Sequence, residues 1–157
     1  MSEVFVIKYS FINQIKYDYF SGVNSSVPVI FWVVMLLQRL LDPSHNQQVF
    51  IFLTTVLTAV CLILLLFRVN KFQSLAKRGM IKEAQLLGVS FYRGRGRVKF
   101  AFDHEGQQIT AVHNIYRNSV TRSLKEATTI EVVFHPNKPK QAYLLIAIGE
   151  PIQPEVA

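Results

Sequence analysis

Apolar residues are spread unevenly along this chain, and their spacing changes at about residue 79. No charged residue falls between Val27 and Leu37, and none between Val49 and Phe67. A helix needs about twenty mostly apolar residues to cross a bilayer's hydrocarbon core. The pattern predicts two spans, about 23–41 and 49–69, joined by a polar, proline-containing turn from Asp42 to Gln48. Pro28 falls in the first turn of the first span, where a missing N–H costs nothing. A cleaved signal peptide needs a small-residue site after its apolar core. Leu40, Leu41, Asp42 and Pro43 supply none, so the first span is read as a retained helix. The second helix is expected to run on to Arg78, with Gly79 as its C-cap.

Beyond Gly79 the period becomes two, the spacing of half-buried strands. Strands are expected over 83–91, 95–103, 107–115, 129–135 and 142–148. Val98, Phe100 and Phe102 should face inward, as should Ile130, Val132 and Phe134; Ile109, Ala111, His113 and Ile115 share a face. His104, Glu105 and Gly106 read as one turn, and Pro136 to Pro139 as another. The stretch 114–127 admits a short helix through Val120, Leu124 and Ala127. The expected fold class is α+β: a two-helix transmembrane hairpin followed by a small antiparallel five-stranded β domain, barrel-like. The expected domains are an N-terminal segment 1–22, the hairpin 23–69, a cytoplasmic β domain 70–150 and a loose tail 151–157. The N-terminal segment interleaves Tyr9, Phe11, Tyr17, Tyr19 and Phe20 with Lys8 and Lys16. That mixture favours an interfacial helix, with an extra strand on the β domain as the alternative.

Charge adds orientation. The chain carries a net +7, and Arg68, Lys71, Lys77, Arg78 and Lys82 follow the second span with no acid among them. The connecting turn has no Lys or Arg. By the positive-inside rule both termini should be cytoplasmic, in a multi-pass protein of the cell's inner (plasma) membrane. Those five cations are expected at anionic lipid headgroups. A second basic run, Arg93, Arg95, Arg97 and Lys99, would form a stripe on one face if extended, about 20 Å long at ~3.3 Å per residue. It is the expected contact for an anionic partner. Its glycines partly match an RNA-recognition motif, but Arg95 and Arg97 stand where base-stacking aromatics belong, so nucleic acid is not expected.

Candidate chemistry is sparse. His45, His104, His113 and His135 have no close metal-ligand spacing, and Cys61 is the one cysteine. Ser90, Ser119 and Ser123 lack a nucleophile elbow, and the glycines of 94–96 lack the Lys-Ser/Thr of a phosphate loop. No catalytic residue, metal or cofactor is expected, and the chain reads as a non-enzyme.

The run from Ile130 to Pro139, with His135-Pro136 and Pro139 closing a strand, is followed by Ala142-Tyr143-Leu144. With Gly79, Ala84, the aromatic strand 98–102 and Gly106, it resembles the bacterial membrane-protein domain-of-unknown-function family 3592 over about residues 75–148. His135 stands where that family more often has Asp. The resemblance implies a membrane-tethered β domain and brings no activity, cofactor or catalytic residue. The expected function is an accessory or scaffold module that binds a protein partner or anionic lipid, or self-associates. The alternative is a small oligomeric channel or transporter component lined by Gln38, Thr54, Thr55 and Thr58.

Overall fold

The computed structural model describes residues 6–42 and 48–152. The expected turn at 43–47, with His45, and the tail 153–157 lie outside them. Two helices are long and apolar enough to cross a membrane: α2 (Tyr19–Leu41) and α3 (Gln48–Arg78). Only 17% of the apolar window of each is buried within the protein, unlike the core helix of a soluble domain. They pair through a side-chain bond from Trp32 Nε1 to Thr58 Oγ1 (3.0 Å).

The first helix starts four residues earlier than the pattern predicted, because Asp18 caps it. The N-terminal segment holds both a strand and a helix, but the strand belongs to a separate two-stranded sheet rather than to the five-stranded one. Strand β1 (Val6–Tyr9) precedes helix α1 (Phe11–Tyr17), which is capped by Ser10. The expected break after α3 is present, but Gly79 does not take a left-handed conformation. Its need for glycine is steric: a Cβ there would lie 2.3 Å from the Leu75 carbonyl oxygen and 2.6 Å from Val133 Cγ1.

Five antiparallel strands follow: β2 (Met80–Tyr92), β3 (Arg95–His104), β4 (Gln107–Tyr116), β5 (Thr129–His135) and β6 (Lys138–Leu144). A short helix, α4 (Ser119–Ser123), lies between β4 and β5 and carries a capping box from Asn118 and Thr121. The spatial order is β4-β3-β2-β5-β6. Strand β2 makes the curl: its first half pairs with β5 and its second with β3, with a bulge between Leu86 and Gly88. A bulge adds twist and bends the strand. The sheet closes nearly to a barrel, as expected. Two-residue turns link β2 to β3 (Arg93-Gly94, φ 45° and 83°) and β3 to β4 (Glu105-Gly106, φ 53° and 75°). Positive φ at both positions matches the twist of a tight hairpin.

Two expectations near the C-terminus are corrected. The last barrel strand is 138–144 rather than 142–148, and residues 145–147 form a 3₁₀ turn. The supposed loose tail starts as strand β7 (Gly149–Ile152), which pairs with β1. Pro139 and Pro151 misled the reading, yet proline is tolerated on edge strands.

The barrel core holds Val98, Phe100, Phe102, Ala111, Ile115, Ile130, Val132 and Phe134, as the alternation predicted. A second core was not legible. Phe72, Leu75 and Ala76 of α3 pack with Ile7, Tyr17, Val133 and Ile148 on the outside of β5. Val133 is therefore buried on the face that alternation assigns to solvent.

Candidate functional site

Asp18 sits between α1 and α2 in an extended conformation and forms an isolated bridge with Ile115 of β4. Its backbone N–H closes α1 on the Gln14 carbonyl, and its carboxylate caps α2. Oδ2 accepts from Ser21 N–H (2.8 Å) and Ser21 Oγ (2.7 Å). Fifty residues on, Arg68 returns to the same level, because α2 and α3 run in opposite directions. It donates from Nη2 to Oδ1 (2.6 Å) and from Nε to Oδ2 (3.1 Å). Its guanidinium lies over the rings of Phe20, Phe72 and Tyr143, each 5.2–5.3 Å away. Such a two-point, ring-framed pair uses the planar fork that Lys lacks.

His113 of β4 completes the cluster. Nε2 lies 3.0 Å from Asp18 Oδ1, and Nδ1 accepts from the Leu144 backbone N–H of β6 (3.1 Å). An Nδ1 that accepts cannot also carry a proton, so the ring is the neutral Nε2–H tautomer donating to Asp18. Burial, opposed by Asp18 and reinforced by the Arg68 charge, lowers the His113 pKa, in agreement with that tautomer. For Asp18, burial pushes the pKa up. The donors His113 and Arg68 outweigh it and hold the carboxyl well below the usual range. β4 and β6 are the two ends of the sheet, so His113 bridges the seam of the barrel with a side chain.

The network extends outward. Ser21 Oγ accepts from Gln14 Nε2 (2.8 Å), and the Tyr9 hydroxyl donates to Gln14 Oε1. Gln14, Asp18, Ser21 and His113 are all fully or almost fully buried. One polar chain thus ties β1, α1, α2, α3, β4 and β6 together. Both nitrogens of His113 are engaged, and the Ser21 hydroxyl is given to Asp18. The cluster presents no free base or nucleophile to a substrate; it is a clasp.

The sequence-predicted cations divide. Arg68, expected at lipid headgroups, is instead spent on Asp18. Lys71 lies over the Tyr143 ring at 5.2 Å, and Lys82 Nζ donates to the Asp103 carbonyl (2.6 Å). Lys77 and Arg78 are exposed at the end of α3. Arg93 leaves the stripe, since it occupies the hairpin turn. Arg95, Arg97 and Lys99 do share an exposed face of β3. Arg95 bonds Asn114 Oδ1 (2.9 and 3.3 Å) and lies over Tyr19. Opposite Arg97 and Lys99 stand Ser90, Gly88, Asn114 and Val112, none of them acidic. The stripe is therefore uncompensated by its neighbours across both strands.

This hairpin lies against the start of α2. Tyr116, opposite Arg95, packs its ring on Gly22 so closely that a Cβ there would be 2.0 Å from Cε2. Of the proposed channel lining, Thr55 and Thr58 donate to carbonyls of their own helix, at Ile51 and Thr54. His104 packs edge-on to Phe134, and no group of three or more His, Cys, Asp or Glu able to hold a metal forms among the described residues.

Sequence reasoning missed Asp18, Gln14, Ser21 and His113. A signal for the first existed. Asp18 is the one acid between Val4 and Leu41, and Arg68 is a cation inside the end of an apolar span. An ionisable group at a span's end asks for a partner, and an antiparallel hairpin brings those two to one height. No family model, curated protein or solved structure matches the chain.

Proposed function

We propose that this chain is a non-enzymatic accessory or scaffold module. A two-helix anchor crosses the inner (plasma) membrane with both termini cytoplasmic, and it holds the barrel against the cytoplasmic face as a docking surface. The observation that carries this reading is the Asp18–Arg68–His113 clasp, which fastens the anchor to both ends of the barrel sheet. One residue, Gly79, separates α3 from β2, so no slack lies on that side either. A tether of this kind fixes the height and orientation of Arg95, Arg97 and Lys99. Preorganisation of that sort cuts the entropic cost of binding.

The partner is a protein with an acidic face beside the membrane, and the end of the stripe near α2 lies at the anionic leaflet. Each Lys or Arg near such a leaflet contributes about 1 kcal/mol. Kinship with family 3592 belongs to the same proposal, supported by the order of the β5 strand, its proline turn and β6.

The test is purification from the native membrane after mild cross-linking, with mass spectrometry of what accompanies the chain. Arg97→Glu with Lys99→Glu reverses exposed charges without touching the clasp. A stoichiometric partner lost on that reversal is the expected result. A partner held equally by the reversed chain refutes the assignment of the face. A homo-oligomer with no partner refutes the accessory reading and puts the channel alternative first.

A further inference from the structure

We infer that an open cleft between α3 and the β5–β6 turn is a binding site for a phosphate-bearing anion, supplied in the membrane by a phospholipid headgroup. The lipid source rests on the membrane reading above; the phosphate chemistry does not.

The cleft has a volume of about 530 Å³ and is lined by Lys71 and Ser74 from one side and His135, Asn137, Lys138 and Gln141 from the other. No carboxylate lines it. Neither ammonium group is in an ion pair among the described residues, and Lys71 lies over the Tyr143 ring. His135 adds a donor, and the reason is local. Its Nδ1 accepts from the Asn137 backbone N–H (3.2 Å), which leaves the proton of the neutral ring on Nε2. Two ammonium groups, an imidazole N–H, a hydroxyl and two amides make a lining rich in donors and cationic. A phosphate brings several acceptor oxygens and negative charge, and hydrogen bonds to such a group are the strong ones. A cation would meet two like charges and no carboxylate.

Height supports the lipid source. Lys71 is three residues past Arg68, about 4.5 Å along the helix. Leu66 and Phe67, exposed and apolar, stand directly before Arg68. The headgroup layer is roughly 5–7 Å thick on each side of the hydrocarbon. The cleft therefore opens where phospholipid phosphates lie when α3 crosses a bilayer.

The test has two arms, each read at the backbone amide resonances of Asn137 and Lys138. In detergent micelles the full chain is titrated with inorganic phosphate, with chloride at matched ionic strength as the control. In phosphatidylcholine nanodiscs, part of the lipid is replaced by phosphatidic acid. The decisive variant is His135→Asp, because a carboxylate still accepts from Asn137 N–H but brings negative charge into the cleft. Lys138→Gln removes one cation without touching the turn. A saturable response in both arms, weakened at least about tenfold by either variant, is the expected result. No response to phosphate beyond that to chloride, or equal binding by His135→Asp, overturns the site. Saturation by inorganic phosphate with none by phosphatidic acid overturns the lipid source alone. Failure to enter nanodiscs, with the micelle response intact, counts against the membrane reading and not against the cleft.

Discussion

Replacing Asp18 by Asn tests the clasp most sharply, because it changes charge and hydrogen-bond direction with almost no change in shape. Five donors converge on the carboxylate. Arg68 Nη2 and His113 Nε2 meet Oδ1, and Arg68 Nε, Ser21 N–H and Ser21 Oγ meet Oδ2. Whichever oxygen the amide NH₂ replaces, a donor then faces donors, and flipping the amide only moves the conflict. Breaking a buried pair by removing one partner costs about 3–5 kcal/mol. The Arg68 side chain is 21% exposed, which lowers its own share, whereas Asp18 is fully buried. The facing donors restore what solvent relieves, and the expected loss for Asp18→Asn is about 3–5 kcal/mol. Arg68→Met should cost less, about 2–3 kcal/mol, because the carboxylate keeps three donors and the N-terminus of α2. The double variant should lose less than the sum by at least about 1 kcal/mol. Equilibrium urea titration in micelles, read at barrel amide resonances, separates the barrel from the helices. A cost below about 1 kcal/mol for Asp18→Asn, or a larger one for Arg68→Met, refutes the clasp.

Acid should loosen the same joint. His113 has a lowered pKa in the native fold, so its contribution is complete above the unfolded value of about 6.5 and is lost as pH falls towards the native one, at up to about 1.4 kcal/mol per pH unit. Asp18, also lowered, adds a second loss only below about pH 4. Ring resonances of His113 should show the Nε2–H tautomer well below pH 6.5, and a titration midpoint at or above that value would contradict the geometry. In the β1–β7 pair, Gly149→Ala would place a Cβ 1.9 Å from the Lys8 carbonyl oxygen. It should cost about 1–3 kcal/mol and speed amide exchange at Ser10, which donates to Ile148, whereas Gly88→Ala, facing open space, should stay within about 0.5 kcal/mol.

What the sequence made legible follows from which forces act locally. Two uncharged runs can hardly be anything but long apolar helices, and the alternation Val98-Phe100-Phe102 and Ile130-Val132-Phe134 names an inward face without knowledge of its partners. Turn chemistry placed the β2–β3 and β3–β4 turns to within a residue, though Arg93 and Glu105 adopt positive φ without being glycine, because the strand twist on either side demands it. The misses are long-range. β1 and β7 are four residues each and exist only because they find one another across the whole chain. Val133 is buried because α3 covers the outside of β5, which no local period reports. Asp18 and His113 look ordinary in sequence, 95 positions apart, and acquire meaning only when the sheet seam and the helix junction meet.

Placing the polar network at that junction has a consequence for binding. A small barrel on a flexible linker would sweep its basic stripe through many orientations, and a partner would have to hold it still at an entropic cost. Here the chain enters the barrel from α3 with one residue between them, Asp18 adds a second attachment to β4 through His113 and Ile115, and the packing of α3 on the outside of β5 adds a third. Fixing a rigid body takes three non-collinear points, and these three come from different elements. The Arg97 and Lys99 charges are thus held by a joint that buries its own ions, which bulk salt screens far less than it screens the stripe. Added salt should therefore strip a partner from the stripe before it loosens the barrel, whereas Asp18→Asn leaves the stripe intact on a barrel that has lost its pose. Charge and pose are separable contributions here, because Arg97 and Lys99 are exposed on β3 whereas Asp18 and His113 are buried.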